Sequence, residues 1–467
     1  MIAAMSVFVM AVAPQEPVVV HEDLQYSEVA KQPRRNRLDL FVPAAESPPP
    51  LVMFVHGGSW TGGSKDHFEA VGETFAERGV ACATINTRLF PFSTPDHMVV
   101  DCAHALGFLH QHGDEYGYDG DQLFVMGHSS GAHLCSWLAY DERKLKLAGV
   151  PRRALRGAVL LSGVYDVRAR HRSLDAVFGG DAEMRYRAST WLYADASDCP
   201  TYVAWAQREL PGLSLCGQLL SDVLISNGVP VQTAFYKQRS HTSYIFQFGS
   251  RRDVVTDSVM NFLRDPQASE ATKRRRANAS RGLVWVAADA REQRLGEALA
   301  KVCEPAGVEV VTLRLANPDG ERVTAAFRKL RVDRERAGGQ QPVVWFIGGY
   351  GAGGYAVAAS ALTARADKIG GRIVAGAPLA ERSLRRAGYE PQAFRSLGKA
   401  PLLSICGDQD EPQLRADARS RSNQLLRQGC EVAPYELFGT TTERALSELD
   451  MEDDLVRPML WTFLGVM

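Results

Sequence analysis

Two short runs hold residues whose types and spacing suit nucleophilic acyl chemistry. Gly127-His128-Ser129-Ser130-Gly131 is a G-x-S-x-G sequence; its glycines let the backbone turn sharply from strand to helix and lift the serine hydroxyl clear of a sheet. A helix-compatible stretch, Ala132 to Ala139, follows, so the free N–H groups of a first helical turn point toward an oxyanion formed on a substrate held by Ser129. The five-residue pattern alone is a weak signal. Independent support comes from His56-Gly57-Gly58-Ser59-Trp60, directly after the apolar run Leu51 to Val55. No side chain shields the N–H groups of Gly57 and Gly58, as an oxyanion hole requires, and the N–H of Ser130 is their expected partner.

A serine nucleophile needs a base, and the base needs an orienting acid, which in this arrangement follow in the order Ser, Asp/Glu, His. His241, in Arg239-Ser240-His241-Thr242, fits the base because it comes after the strand-like run Val231 to Tyr236. His56, His128 and His133 belong to the two motifs, and the other histidines precede the serine. For the acid, Glu209 is the first carboxylate beyond the strand-like run Thr201 to Ala206; Asp198 and Asp222 are the alternatives. This set implies no metal and no organic cofactor. The eight cysteines are scattered, with no C-x-x-C pair and no tight Cys/His cluster, which fits buried apolar residues rather than a metal site.

The elements that must position these residues follow from periodicity. Continuous apolar runs between turn signals, at Leu51 to Val55, Val80 to Asn86 and Gln122 to Met126, suit strands buried on both faces. They alternate with helical stretches at Phe68 to Glu77 and Met98 to His112. Such alternation predicts an α/β fold with a mostly parallel sheet flanked by helices, its active site at the carboxyl ends of the strands.

The two motifs together resemble those of the esterase branch of the α/β-hydrolases, which includes hormone-sensitive-lipase-like carboxylesterases, small acetyl and feruloyl esterases, and kynurenine formamidases. The resemblance runs from about Leu24 to Leu263 and takes in Leu161-Ser162-Gly163-Val164-Tyr165-Asp166 and Phe178-Gly179-Gly180-Asp181. It implies a serine hydrolase that cleaves small carboxylic esters through Ser129, His241 and Glu209. A formamidase-type amide hydrolase would use the same residues, and a non-catalytic binding or scaffolding protein is the rival of another class. The sequence departs from the family at the acid, where these proteins usually have aspartate in a glycine-containing turn and this chain has Ala206-Gln207-Arg208-Glu209.

With 467 residues the chain exceeds what one core usually organises. The order of signals restarts in its second half. Leu283 to Ala287 resembles the Leu51 strand, and Val343-Val344-Trp345-Phe346-Ile347-Gly348-Gly349-Tyr350-Gly351 falls where the serine motif did, with Gly351 at the nucleophile position. Asp410 lies as far beyond Pro401 as Glu209 lies beyond Pro200, and no histidine occurs after His241. We therefore expect a tandem arrangement: an N-terminal segment over 1–23, a catalytic domain over 24–264, a polar basic linker over 265–281, and a degenerate, non-catalytic α/β-hydrolase-like domain over 282–467.

A net charge of −1 argues against nucleic acid as a partner and leaves a small-molecule ester as the expected one. Met1 to Ala13 resembles the apolar core of a secretory signal but lacks a basic leading region, so both a cytoplasmic and an exported location stay open. No later run approaches the roughly 20 apolar residues of a membrane span. Oligomeric state is not legible.

Overall fold

The structure, a computed structural model, describes residues 18–28, 34–168, 172–210, 212–268, 281–303, 308–316, 318–336 and 344–350; beyond these it describes the strands 369–375, 402–407 and 432–437 and positions 357, 410, 442 and 446. The signal-like run 1–13 and the basic cluster 273–276 lie outside the described residues.

Eight strands form the first sheet: β1 (Val18–Gln25), β2 (Arg37–Pro43), β3 (Leu51–Val55), β4 (Ala81–Ile85), β5 (Leu123–His128), β6 (Leu155–Leu161), β7 (Thr201–Arg208) and β8 (Val231–Ser240). Their order is β1-β2-β4-β3-β5-β6-β7-β8. β1 and β2 run antiparallel to their neighbours, and the strands from β4 to β8 are parallel. The central β3, β4 and β5 are buried along their whole length, which is why their sequences read as unbroken apolar runs.

Alternate side chains of β3 enter different cores, as the two-residue period of a strand demands. Leu51, Met53 and Val55 pack with Met98, Val125 and Leu138 on one face. Val52 and Phe54 pack with Phe75, Met126 and Phe262 on the other. Fully burying one such side chain stabilises the fold by about 1.5–3 kcal/mol.

The helix Pro95–Gln111 starts three residues before the expected Met98. Thr94 caps it by accepting from His97 N, and Pro95 sits in the first turn, where its missing N–H costs nothing. β1 starts at Val18, ahead of the boundary expected at residue 24. It is an edge strand with Val19 and Val20 exposed, and its pairing breaks register between His21 and Leu24, so no burial period marks it.

A second sheet contains β9 (Arg281–Ala287), β10 (Val308–Arg314), β11 (Val344–Tyr350), β12 (Ile369–Ala375), β13 (Leu402–Gly407) and β14 (Val432–Leu437). Its order is β10-β9-β11-β12-β13-β14, and every pair is parallel. That order matches β4-β3-β5-β6-β7-β8 of the first sheet, strand for strand. Its core gathers Trp285, Leu295, Leu299, Phe346, Ile373 and Ile405. Among the described residues, no helix is long and apolar enough to cross a membrane.

Candidate active site

β5 ends at His128, and the next residue, Ser129, has φ 57° and ψ −121° before the helix Ser130–Tyr140 begins. A serine in this region costs of order 1–3 kcal/mol and persists only where its surroundings fix it. Ser129 N donates to Leu161 O at 2.8 Å, and His133 N donates to Ser129 O at 3.1 Å. Gly131 is obligatory here, because a Cβ would stand 2.1 Å from Val55 O. The turn after β3 is pressed against this elbow: a Cβ on Gly57 would lie 2.9 Å from His128 O and 3.1 Å from Ser129 Cβ. Gly58 has φ 138°, and a Cβ there would meet Gly62 O at 2.2 Å. Ser130 opens its helix, so its N–H has no acceptor within that helix.

The geometry brings Ser129, His241 and Glu209 together. His241 Nε2 lies 3.0 Å from Ser129 Oγ, and His241 Nδ1 is hydrogen-bonded to Glu209 Oε1. The strand-like run before the histidine extends to Ser240, with Gln238 at φ 60°. β7 continues to Arg208, whose carbonyl accepts from His241 N at 3.1 Å, so the backbone of one strand end positions the other. Of the alternative acids, Asp198 pairs with Arg152 at 2.8 Å and Asp222 is buried on the helix Leu213–Ser226.

Both carboxylate oxygens of Glu209 are held by donors. Leu210 N donates to Oε1 at 3.0 Å, Ala206 N donates to Oε2 at 3.2 Å, and Ser162 Oγ also donates to Oε2. Burial pushes the carboxyl up, but the bonds from His241, Ser162 and Ala206 outweigh it and hold Glu209 below its usual range. Ser162 in turn bonds the hydroxyl of Tyr244. Sequence reasoning did not assign Ser162 or Tyr244 to the site. The only available signal was the position of Leu161-Ser162-Gly163 at a strand end, and the φ of 50° at Ser162 is not readable from residue types.

Three more histidines surround the site as neutral scaffolding. Burial lowers His56, His128 and His133 to about 4 each. His128 Nε2 donates to His241 O at 2.7 Å, fixing the His241 backbone. His133 Nε2 donates to Ala188 O at 2.8 Å and its Nδ1 accepts from Trp60 Nε1 at 3.3 Å, tying the tryptophan of the turn after β3 to the short helices over 172–193. Phe178 from those helices meets the Trp60 ring edge-on at 4.9 Å. The turn is anchored from beneath by Lys65, which is buried and paired with Asp39 at 2.7 Å, Asp23 at 3.0 Å and Asp66 at 3.0 Å. Among the described residues, no three His, Cys, Asp or Glu side chains group to hold a metal ion.

A mostly parallel sheet of this order, with a serine on a strained turn between β5 and its helix, gives the first half of the chain the architecture of an α/β-hydrolase. Residues 38–157 match the family model described as BD-FAE. Over 103 residues the chain is 42% identical to a probable isoprenylcysteine alpha-carbonyl methylesterase of Oryza sativa subsp. japonica, a match covering 22% of this chain and 25% of that protein. It is 24% identical over 254 residues to a kynurenine formamidase of Danio rerio, covering 52% of this chain and 81% of the relative. The solved structure of esterase B from Lactobacillus rhamnosis is similar with a TM-score of 0.47 and 22% identity, covering 56% of this chain and 89% of that one. The chain thus spans about a quarter of the length of the methylesterase it matches.

Proposed function

We propose that the first domain is a serine hydrolase that cleaves small carboxylic esters by two-step acyl transfer. The observation that carries this reading is the unbroken chain of contacts from Ser129 Oγ through His241 to Glu209. In the first step His241 Nε2 takes the Ser129 proton as Oγ attacks the ester carbonyl. The N–H groups of Gly57, Gly58 and Ser130 stabilise the oxyanion, and Glu209 keeps the imidazole in the tautomer that accepts at Nε2. His241 then protonates the departing alcohol and activates the water that releases the acid.

A second reading, hydrolysis of an aryl formamide by the same residues, is favoured by the formamidase similarity, which covers far more of its relative than the methylesterase match does. The test is turnover of p-nitrophenyl acetate and butyrate beside an N-formyl arylamine, with the parent chain and Ser129→Ala. Ester turnover that falls by ~10³-fold or more in Ser129→Ala supports the proposal. A strong preference for the formamide selects the second reading. A folded parent with no turnover and no labelling by a fluorophosphonate refutes both and leaves a binding protein.

We read residues 24–264 as the catalytic domain and 282–467 as a degenerate copy of it. The matching strand order supports this, as does a pair of buried residues. Thr442 N donates to Asp410 Oδ1 at 3.0 Å and Thr442 Oγ1 bonds Asp410 Oδ2, across the same 32-residue separation as Glu209 and His241. On this reading a threonine stands where a base would be, and the copy performs no acyl transfer.

A further inference from the structure

We propose that Tyr244 and Ser162 are positioning residues, forming a buried one-way hydrogen-bond relay that holds Glu209 toward His241. This inference rests on the reading of Ser129, His241 and Glu209 as a catalytic set. An ionised carboxylate only accepts, so the single Ser162 hydroxyl proton points at Glu209 Oε2. The Ser162–Tyr244 bond then has one possible direction: the Tyr244 hydroxyl donates and Ser162 Oγ accepts. The donors therefore converge on Glu209 from both sides, Tyr244 through Ser162 on one and Ser129 through His241 on the other.

The relay answers a need created by the glutamate. Its side chain has one more rotatable bond than aspartate and must be pinned at both oxygens to present Oε1 to the imidazole. Leu210 N and His241 Nδ1 occupy Oε1, while Ala206 N and Ser162 occupy Oε2. Ser162 reaches that place only by adopting φ 50°, held by its N–H on Ala204 O at 2.8 Å. Tyr244 follows His241 on the same turn and is 1% exposed, so the turn that supplies the base also supplies the far end of the relay. The strained serine and the buried phenol have no other evident role in packing that alanine and phenylalanine would not fill.

The titratable groups facing Glu209 are His241 and Tyr244 from the turn after β8, His128 from the end of β5 and Tyr165 from the segment after β6, with Tyr236 of β8 beside Tyr244.

The experiment compares the full chain with Tyr244→Phe, Ser162→Ala and the double variant. Tyr244→Phe keeps the ring and its packing, so it serves where Ser162→Ala does not fold. With p-nitrophenyl acetate, kcat should fall about tenfold or more in each single variant with KM nearly unchanged. The double variant should be no slower than Ser162→Ala, because Tyr244 acts through Ser162. The downfield ¹H NMR resonance of the His241 Nδ1–H bonded to Glu209 reads the same relay without turnover and should shift in each variant. An unmoved Nδ1–H resonance in Tyr244→Phe, or additive losses in kcat, overturns the relay. A parent that shows no turnover refutes the hydrolase reading instead, and the Nδ1–H resonance still decides the relay.

Discussion

Replacing Glu209 by glutamine tests the acid with almost no change of shape. The carboxylate accepts from four donors, His241 Nδ1 and Leu210 N on one oxygen and Ser162 Oγ and Ala206 N on the other. An amide has one accepting oxygen and one donating NH2. With the NH2 toward Oε1's place it faces Leu210 N–H and forces His241 to carry its proton on Nε2, where it cannot accept from Ser129. With the NH2 toward Oε2's place it faces Ala206 N–H, which cannot reverse. Either pose leaves a backbone donor opposed, a loss of about 1–3 kcal/mol in stability, and both remove the negative charge that steadies the imidazolium. We expect Glu209→Gln to lower kcat by about 10³- to 10⁴-fold, or roughly 4–5.5 kcal/mol of barrier at 1.36 kcal/mol per decade. The assay is p-nitrophenyl acetate hydrolysis together with the rate of fluorophosphonate labelling and a urea titration. Glu209→Gln within tenfold of the parent, with Asp198→Asn or Asp222→Asn collapsing instead, would refute the assignment.

Lys65→Met should destabilise the fold by about 3–5 kcal/mol, because it leaves the buried Asp39 carboxylate without its ion pair; a lowered urea midpoint at unchanged slope would show it. Stability should fall steeply as pH drops from 6.5 toward 4, since the unfolded chain protonates near 6.5 while buried His56, His128 and His133 stay neutral until about 4. Asp198, raised to about 6 by burial, opposes this by one proton and leaves a net two, or roughly 3 kcal/mol per pH unit near pH 5; a Tm flat between pH 7 and 5 would contradict it. Gly58→Ala should lower kcat by at least about 10²-fold through the lost oxyanion donor and the clash with Gly62 O, while Gly62→Ala, with only ordinary contact at 3.9 Å, should be close to neutral in the same assay.

Much of this was legible in the sequence where burial and local order agree. β3, β4 and β5 are covered on both faces, so their composition alone marks them, and the serine motif is legible because its glycines answer a local demand that Gly131 against Val55 makes explicit. β1 was hidden because an exposed edge strand with a register break has no period to read. The Glu209 choice rested on its place after β7, whereas its surroundings did not, since Ser162, Ala206 and Tyr244 converge on it from separate parts of the chain. The neutral state of His128 and His133 was equally invisible, being set by burial and by acceptors on His241 and Ala188.

The backbone angle at Ser129 also bears on how a duplicated hydrolase decays. At φ 57° the residue with the least conformational cost is glycine, so serine keeps the position only while its hydroxyl is needed. If residues 282–467 are a degenerate copy, as we propose, drift at that site runs downhill toward glycine, and in the sequence Gly351 follows β11. The acid behaves in the opposite way. A buried carboxylate that loses its histidine must find new donors; on the same reading, Asp410 has them in the N–H and hydroxyl of Thr442. On that reading the backbone at the elbow favours loss of the nucleophile, and burial favours keeping an acid that has found new donors.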